Sequence, residues 1–347
     1  MNISRASTAF CVLRRAQSFT RPSHQHLHLP ATKPHRYFSS MAQDIYTNGS
    51  LQPKKVSFPS GDGHVVAHLY LPPHHNNSKR YPGVAIAGPF STVKEQVGGT
   101  YASQLARKHD IIALSIDYRN YGESSGNKRQ YEDPASKSQD LSAAVSYLNK
   151  RPDVSGAGLL GICTSGGNVL YAAAQASHAQ AVATVAGFFT DSSVATMLFG
   201  GQEGIDKRLA AGRAAQEKFD STGEIETIRA YHNTDLTAAS VSSADYYMDK
   251  SRGGGVAAWR NAFAVMAREK WIKFDPISQA GEVTAPTLIV HSEGAAFPDQ
   301  ARKVYEALKG EKELVWAEGG HFDFYDVEST VSEAAERVAK HFHKMLQ

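Results

Sequence analysis

The sequence predicts an α/β protein with a mostly parallel, doubly wound sheet, an antiparallel opening hairpin and a helical insertion. Three features lead there. Short apolar runs without polar alternation recur along the chain, as strands buried on both faces require. Segments of helical spacing separate them and supply the crossovers that parallel strands need. Between residues 187 and 280 this rhythm stops and mostly helical segments take over.

Taken in order, Lys55–Phe58 and Val65–Leu71 alternate apolar and polar residues around Gly61-Asp62-Gly63, the pattern of a hairpin. Val84–Ala87 is a continuous apolar run ending at Gly88, and Ile111–Ile116 is a second, with helical spacing from Thr100 to Arg107 between them. From Ala135 to Leu148, apolar residues at Leu141, Ala144, Val145 and Leu148 line one helical face. Gly158–Ile162 is a third buried strand, Gly166–Ala176 a helix of small residues, and Ala181–Ala186 a fourth strand. After the insertion come a strand at Pro286–His291, a helix at Asp299–Leu308, a strand at Glu313–Trp316 and a terminal helix at Thr330–Met345. The expected core is therefore 44–186 with 281–347, and 187–280 is a cap.

Composition narrows the function. A chain of 347 residues, 41% apolar and 20% charged, is globular and not disordered. Two cysteines support neither a disulfide framework nor a cysteine zinc site. No apolar run approaches the roughly 18 residues of a membrane span. The net charge of +3 conceals an imbalance, because 1–43 holds six basic residues and no acidic one. The other 304 residues carry 31 basic against 34 acidic side chains, so nothing argues for nucleic-acid binding. The Arg- and Ser-rich leader reads as a mitochondrial transit peptide, with Arg36-Tyr37-Phe38-Ser39 similar to a presequence cleavage site. The alternatives are a disordered extension, or a start at Met41 and a cytoplasmic protein.

Leu159-Leu160-Gly161-Ile162-Cys163-Thr164-Ser165-Gly166-Gly167 carries the chemistry. A buried strand runs into a helix through small residues, with a nucleophile at the turn, as in a G-x-S-x-G elbow with cysteine in the serine position. The helix N-terminus should favour the thiolate of Cys163, and the Thr164 N–H should face an oxyanion. Ser165 is a competing nucleophile in a shifted frame, but the strand ends at Ile162, which favours Cys163. An inert buried cysteine is the plain alternative.

In this chain order an acid and then a histidine follow the nucleophile. His321 stands behind two glycines after the last strand and is the expected base. Glu293, nearest the end of the Thr287–His291 strand, is the expected acid. Asp299 is the alternative, though it also suits a helix first turn, and Asp191 is a third option. In Gly88-Pro89-Phe90-Ser91, Pro89 has no N–H, so Phe90 is the second expected oxyanion donor. The neighbouring Lys94-Glu95-Gln96 reads equally as a solvated charged turn.

With these residues the sequence resembles the α/β-hydrolase superfamily over about residues 53–346. The hairpin, Asp117-Tyr118-Arg119-Asn120-Tyr121-Gly122 and the elbow carry that likeness. Val93-Lys94-Glu95-Gln96 and Gly320-His321-Phe322-Asp323-Phe324-Tyr325 narrow it to a dienelactone-hydrolase-like branch that includes fungal polyketide transferases and thiohydrolases. The resemblance implies an α/β-hydrolase fold and an acyl hydrolase or acyltransferase. A thiolate suits acyl thioesters, including a polyketide chain on a carrier protein, and reaches activated esters and lactones. Phe188, Phe189, Met197, Phe199, Tyr246, Tyr247, Trp259, Phe263 and Trp271 should pack the cap and in part line an acyl pocket. No cofactor motif and no metal-ligand spacing is evident; His74-His75 and His24, His26 and His28 read as solvent-facing. A non-catalytic member binding an apolar ligand is the rival reading.

Overall fold

The computed structural model describes residues 52–347 apart from Ala176 and Ser243. The leader at 1–43, with its cleavage motif and leader histidines, lies outside the described residues. Eight strands form one sheet: β1 (Lys54–Ser60), β2 (Gly63–Tyr70), β3 (Tyr81–Ala87), β4 (Ile112–Ile116), β5 (Val154–Ile162), β6 (Val182–Val185), β7 (Thr287–Gly294) and β8 (Lys312–Gly320). Their spatial order is β1-β2-β4-β3-β5-β6-β7-β8. The first two strands make the antiparallel hairpin, β2 joins β4 antiparallel, and the remaining pairs are parallel. This is the doubly wound architecture that the sequence predicts.

Two strands run longer than their apolar runs. Val154 opens β5 ahead of the run at Gly158, because β3 pairs with it from Tyr81 onward. Pairing with β8 likewise carries β7 past His291 to Gly294. A ladder supplied by a neighbour extends a strand through residues of low intrinsic preference.

The sheet is buried on both faces, which explains its unbroken apolar runs. On one face, α1 (Val97–His109) and α8 (Glu328–Met345) pack Tyr101, Leu105, Val338 and Phe342 against Val84 and Ile86. On the other, α2 (Pro134–Asn149), α3 (Thr164–Ala174) and α7 (Pro298–Ala307) pack Leu141, Val145, Val169 and Val304 against Ala85 and Leu159. Asp133 starts α2, its carboxylate accepting from the N–H groups of Ala135 and Ser136, with Pro134 at the first helical position.

The order places β4 and β5 on opposite sides of β3. The winding therefore reverses at β3, and ligands of such sheets bind beyond the strand ends where it does. The loop after β3 and the turn after β5 meet there. Above them, α4 (Ser192–Phe199), α5 (Gly201–Thr222) and α6 (Arg268–Ile272) lie between β6 and β7 in the chain, with short turns and two-residue strands. Tyr246, Tyr247 and Phe263 are buried, whereas Met197 is 55% exposed. No helix among the described residues is long and apolar enough to cross a membrane.

Phe342 is fully buried, and β5 runs beneath it only because position 158 lacks a side chain: a Cβ there would lie 2.5 Å from the ring. Phe342→Ala should cost about 3–5 kcal/mol by emptying that site. Urea unfolding checks this; a loss below about 1 kcal/mol would show that the helix does not depend on the ring.

Candidate active site

Cys163 is the single residue between β5 and α3, with φ 55° and ψ −120°. Such a backbone costs a non-glycine residue on the order of 1–3 kcal/mol, so its neighbours must hold it. Its N–H donates to the Val185 carbonyl at 3.1 Å, and its own carbonyl accepts from Gly166 and Phe188, both at 2.8 Å. The turn is so tight that a Cβ at position 161 would lie 2.1 Å from the Ser165 carbonyl oxygen. The Ser165 hydroxyl is buried, donating to the Gly88 carbonyl and bonded to the Tyr118 hydroxyl at 2.9 Å. That side chain links the elbow to the loop after β3.

Beyond β8, the His321 N–H donates to the Gly294 carbonyl at 3.2 Å, and Nε2 lies 3.2 Å from Cys163 Sγ. A single helical turn, Asp323–Asp326, follows, begun by the Asp323 carboxylate accepting from the Gly320 N–H at 2.7 Å. This turn brings the Tyr325 hydroxyl, four residues on, to 3.2 Å from the same Nε2. Nδ1 accepts from the Ala296 N–H at 3.2 Å. With a donor on Nδ1, the neutral ring carries its proton on Nε2.

The acid is where the structure departs from the sequence reading. Among the described residues no carboxylate bonds to His321. The β7–β8 register slips between Ser292 and Gly294, and Glu293 sits at this irregularity as an exposed side chain paired with Arg302 of α7. Asp299 lies in the first turn of α7 and pairs with the same guanidinium at 3.0 Å. Asp191 caps α4 through the Val194 N–H at 2.9 Å and pairs with Lys303 at 3.2 Å. Each candidate acid is thus engaged elsewhere.

Burial acts against charge on both partners at the centre. Burial pushes the Cys163 thiol above its ordinary pKa, against hydrogen bonds from Tyr325 and Thr164 and from the backbone N–H of Phe90 that favour the thiolate. Burial thus works against the thiolate that the helix N-terminus is expected to favour. Desolvation, helped by neighbouring His291, lowers His321 to about 3. The Thr164 and Phe90 N–H groups nevertheless both act on the sulfur.

The loop that carries Phe90 is anchored rather than solvated. Its carbonyl accepts from the Tyr231 hydroxyl at 3.0 Å, and the Ser91 N–H donates to Glu132 at 3.0 Å. Lys94 is wholly buried, its ammonium 2.7 Å from Glu95, 2.9 Å from Asp117 and 2.8 Å from Glu123. Gln96 spans from the Val93 N–H to the Gly253 carbonyl of the insertion. His68, Glu95 and Glu123 come close enough to hold a cation, but the Lys94 ammonium already contacts both carboxylates. Elsewhere His75 is tied to Asp153 at 2.8 Å, not left to solvent.

Two residues at the site had no assigned role in the sequence reading. Tyr325 sits one helical turn past His321, a spacing that signals proximity once that turn is known to be helical. His291 is fully buried, with its ring nitrogens 3.0 Å from the Ser292 carbonyl and 3.2 Å from the Gly187 carbonyl. A histidine closing an apolar strand run was the available signal.

Comparison with known proteins adds the following. The family model for X-Pro dipeptidyl-peptidase (S15 family) matches residues 62–323. The uncharacterized protein YcjY of Escherichia coli K12 is 29% identical over 304 residues, covering 84% of this chain and 99% of its own. The thiohydrolase aneE of Aspergillus aculeatus is 36% identical over 122 residues, 34% of this chain and 36% of its own. The crystal structure of the α/β hydrolase GrgF from a Penicillium species superposes with a TM-score of 0.70 at 21% identity, over 85% of this chain and 99% of that one.

The low value for His321 has a consequence for stability. An unfolded histidine titrates near 6.5, so between that pH and about 3 the unfolded chain binds the extra proton. The stability held by the neutral ring is complete above 6.5 and is lost as pH falls. At pH 5 the loss should reach about 2 kcal/mol. Urea unfolding of wild type and His321→Gln at pH 7.5 and 5 checks this; equal losses in both would contradict the assignment.

Proposed function

The chain belongs to the X-Pro dipeptidyl-peptidase (S15) family of α/β-hydrolases, and we propose that it is an acyl hydrolase or acyltransferase that forms a covalent acyl-enzyme on Cys163. The observation that carries this reading is the 3.2 Å approach of His321 Nε2 to a sulfur on which two backbone N–H groups act.

The reaction starts from a neutral pair. The thiol proton passes to Nε2 of His321 as sulfur attacks the acyl carbonyl carbon, in the tautomer that carries the ring proton on Nδ1. That tautomer requires the Ala296 N–H to turn away from Nδ1, so the segment after β7 takes part in the step. The carbonyl oxygen becomes an oxyanion between the Thr164 and Phe90 N–H groups. Collapse breaks the bond to the leaving thiolate or alkoxide, which takes the proton from Nε2. Water or an acceptor alcohol then gives its proton to Nε2 and attacks the acyl-enzyme, and sulfur leaves and is reprotonated. Tyr325, whose burial raises its hydroxyl well above the ordinary pKa, stays protonated and steadies the sulfur as charge develops.

A thioester is the favoured substrate class. Thiol attack on it exchanges one thioester for another, so the acyl-enzyme forms near thermoneutrality, whereas a peptide must expel a poor amine leaving group. The local likeness to a thiohydrolase supports the same class. We place a polyketide acyl chain bound to the thiol of a carrier protein or of a small pantetheine carrier within this class, with lactones as the second substrate type.

The test is a panel of an acyl thioester, an activated ester, a lactone and an X-Pro dipeptide anilide, read by intact mass and turnover. The expected results are an acyl adduct at Cys163 on the thioester and a fall of about 10³-fold or more in kcat/KM for Cys163→Ala. Turnover unaffected in that variant would overturn the reading, and turnover of the dipeptide alone would replace it.

A further inference from the structure

The insertion carries a half-open pocket of about 330 Å³, a volume at the lower end of small-ligand sites. Ile228, Phe263 and Trp271 form its apolar wall, and Arg208, Arg268 and Lys207 give it three cationic side chains and no acidic one. That is unusual in a body whose residues beyond 43 carry an excess of acidic groups. Arg208 and Arg268 have no ion pair among the described residues. The Nη1 of Arg208 is fixed by the carbonyls of Phe199 at 3.1 Å and Gly204 at 3.0 Å, which orients the guanidinium without neutralising it. Arg268 has no hydrogen bond among the described residues, and burial, with repulsion from Arg208, lowers its pKa.

The cavity adjoins the proposed reaction centre. Phe90, whose N–H acts on the Cys163 sulfur, stacks on Trp271 at 4.7 Å between ring centroids and tilts against Phe263 at 5.6 Å. Both of those rings line the cavity. Two rings in series, Phe90 and then Trp271 or Phe263, thus lie between the sulfur and the space lined by the half-buried guanidiniums, where the Glu226 charge only partly offsets Arg268. Two like charges brought together beside an apolar wall are unfavourable until an anion neutralises them.

We propose that this cavity receives an anionic end of the substrate, a phosphate or a carboxylate held by Arg208 and Arg268, while the acyl carbonyl lies at Cys163 beyond Phe90. The proposal rests on the acyl-transfer reading and adds a substrate class to it: an acyl thioester with an oxyanion group remote from the reacting carbon. Planar guanidiniums suit either oxyanion through paired N–H donors. A phosphate would come from the carrier arm, as in coenzyme A, and a carboxylate from the far end of the acyl chain.

Three thioesters separate these sources: butyryl-coenzyme A, neutral butyryl-N-acetylcysteamine, and the N-acetylcysteamine monothioester of glutarate. One of the two anionic substrates should exceed the neutral one in kcat/KM about tenfold or more, through KM. Arg268→Gln and Arg208→Gln should each reduce that ratio about tenfold, and the substrate affected identifies the source. Equal kcat/KM on all three, or a ratio unchanged by both substitutions, would overturn the proposal. Calorimetric titration of Cys163→Ala with coenzyme A and with glutarate keeps the two readings apart. Binding of either that Arg268→Gln weakens supports the cavity assignment even without turnover, and binding of neither overturns it.

Discussion

The left-handed turn at Cys163 is the constraint on which the site depends. A side chain there projects from the end of a buried strand only because the backbone reverses within one residue, at φ 55°. That reversal needs a bare position at 161, the Val185 and Phe188 contacts and a buried Ser165 bonded to the loop after β3. The Ser165 bond sets the distance between the turn and Phe90. Switching of the winding at β3 brings those two segments together at all, so topology and local strain converge on one sulfur.

Electrostatics at that sulfur is a contest that burial wins. A helix N-terminus stabilises an adjacent anion by about 0.3–1 kcal/mol, and by about 2 at best. Full burial shifts an ionisable group by up to about 3–5 pKa units, roughly 4–7 kcal/mol against the charge. Burial therefore opposes both the thiolate and the imidazolium. The Ala296 N–H reinforces this, since it occupies the nitrogen that a carboxylate would use to stabilise an imidazolium.

Much of this was legible in the residues, and the limits have physical causes. Apolar runs located the strands because a sheet buried on both faces admits little else. Cys163, Thr164 and Phe90 could be named because an elbow and a proline that lacks an N–H leave few choices. The acid could not, because a one-residue register slip between β7 and β8 decides which side chain faces the site, and spacing does not record it. The exposed surroundings of Glu293 follow from that slip. The sequence leaves Lys94 open between a solvated turn and a site role because its three carboxylate partners come from residues 95, 117 and 123 and meet only after folding. The two arginines of the insertion were equally hidden: Arg208 and Arg268 lie 60 residues apart and belong to different helices.

Burial of both groups leaves Cys163 and His321 as a neutral pair at rest in the proposed mechanism. The rate of alkylation of Cys163 by iodoacetamide across pH 4–10, located by peptide mass in a Cys11→Ser background, tests it most directly. A neutral pair predicts a rate that is low through pH 7 and keeps rising above the roughly 8.5 of an ordinary cysteine. A plateau reached by about pH 5, the signature of a preformed thiolate–imidazolium pair, would contradict the account.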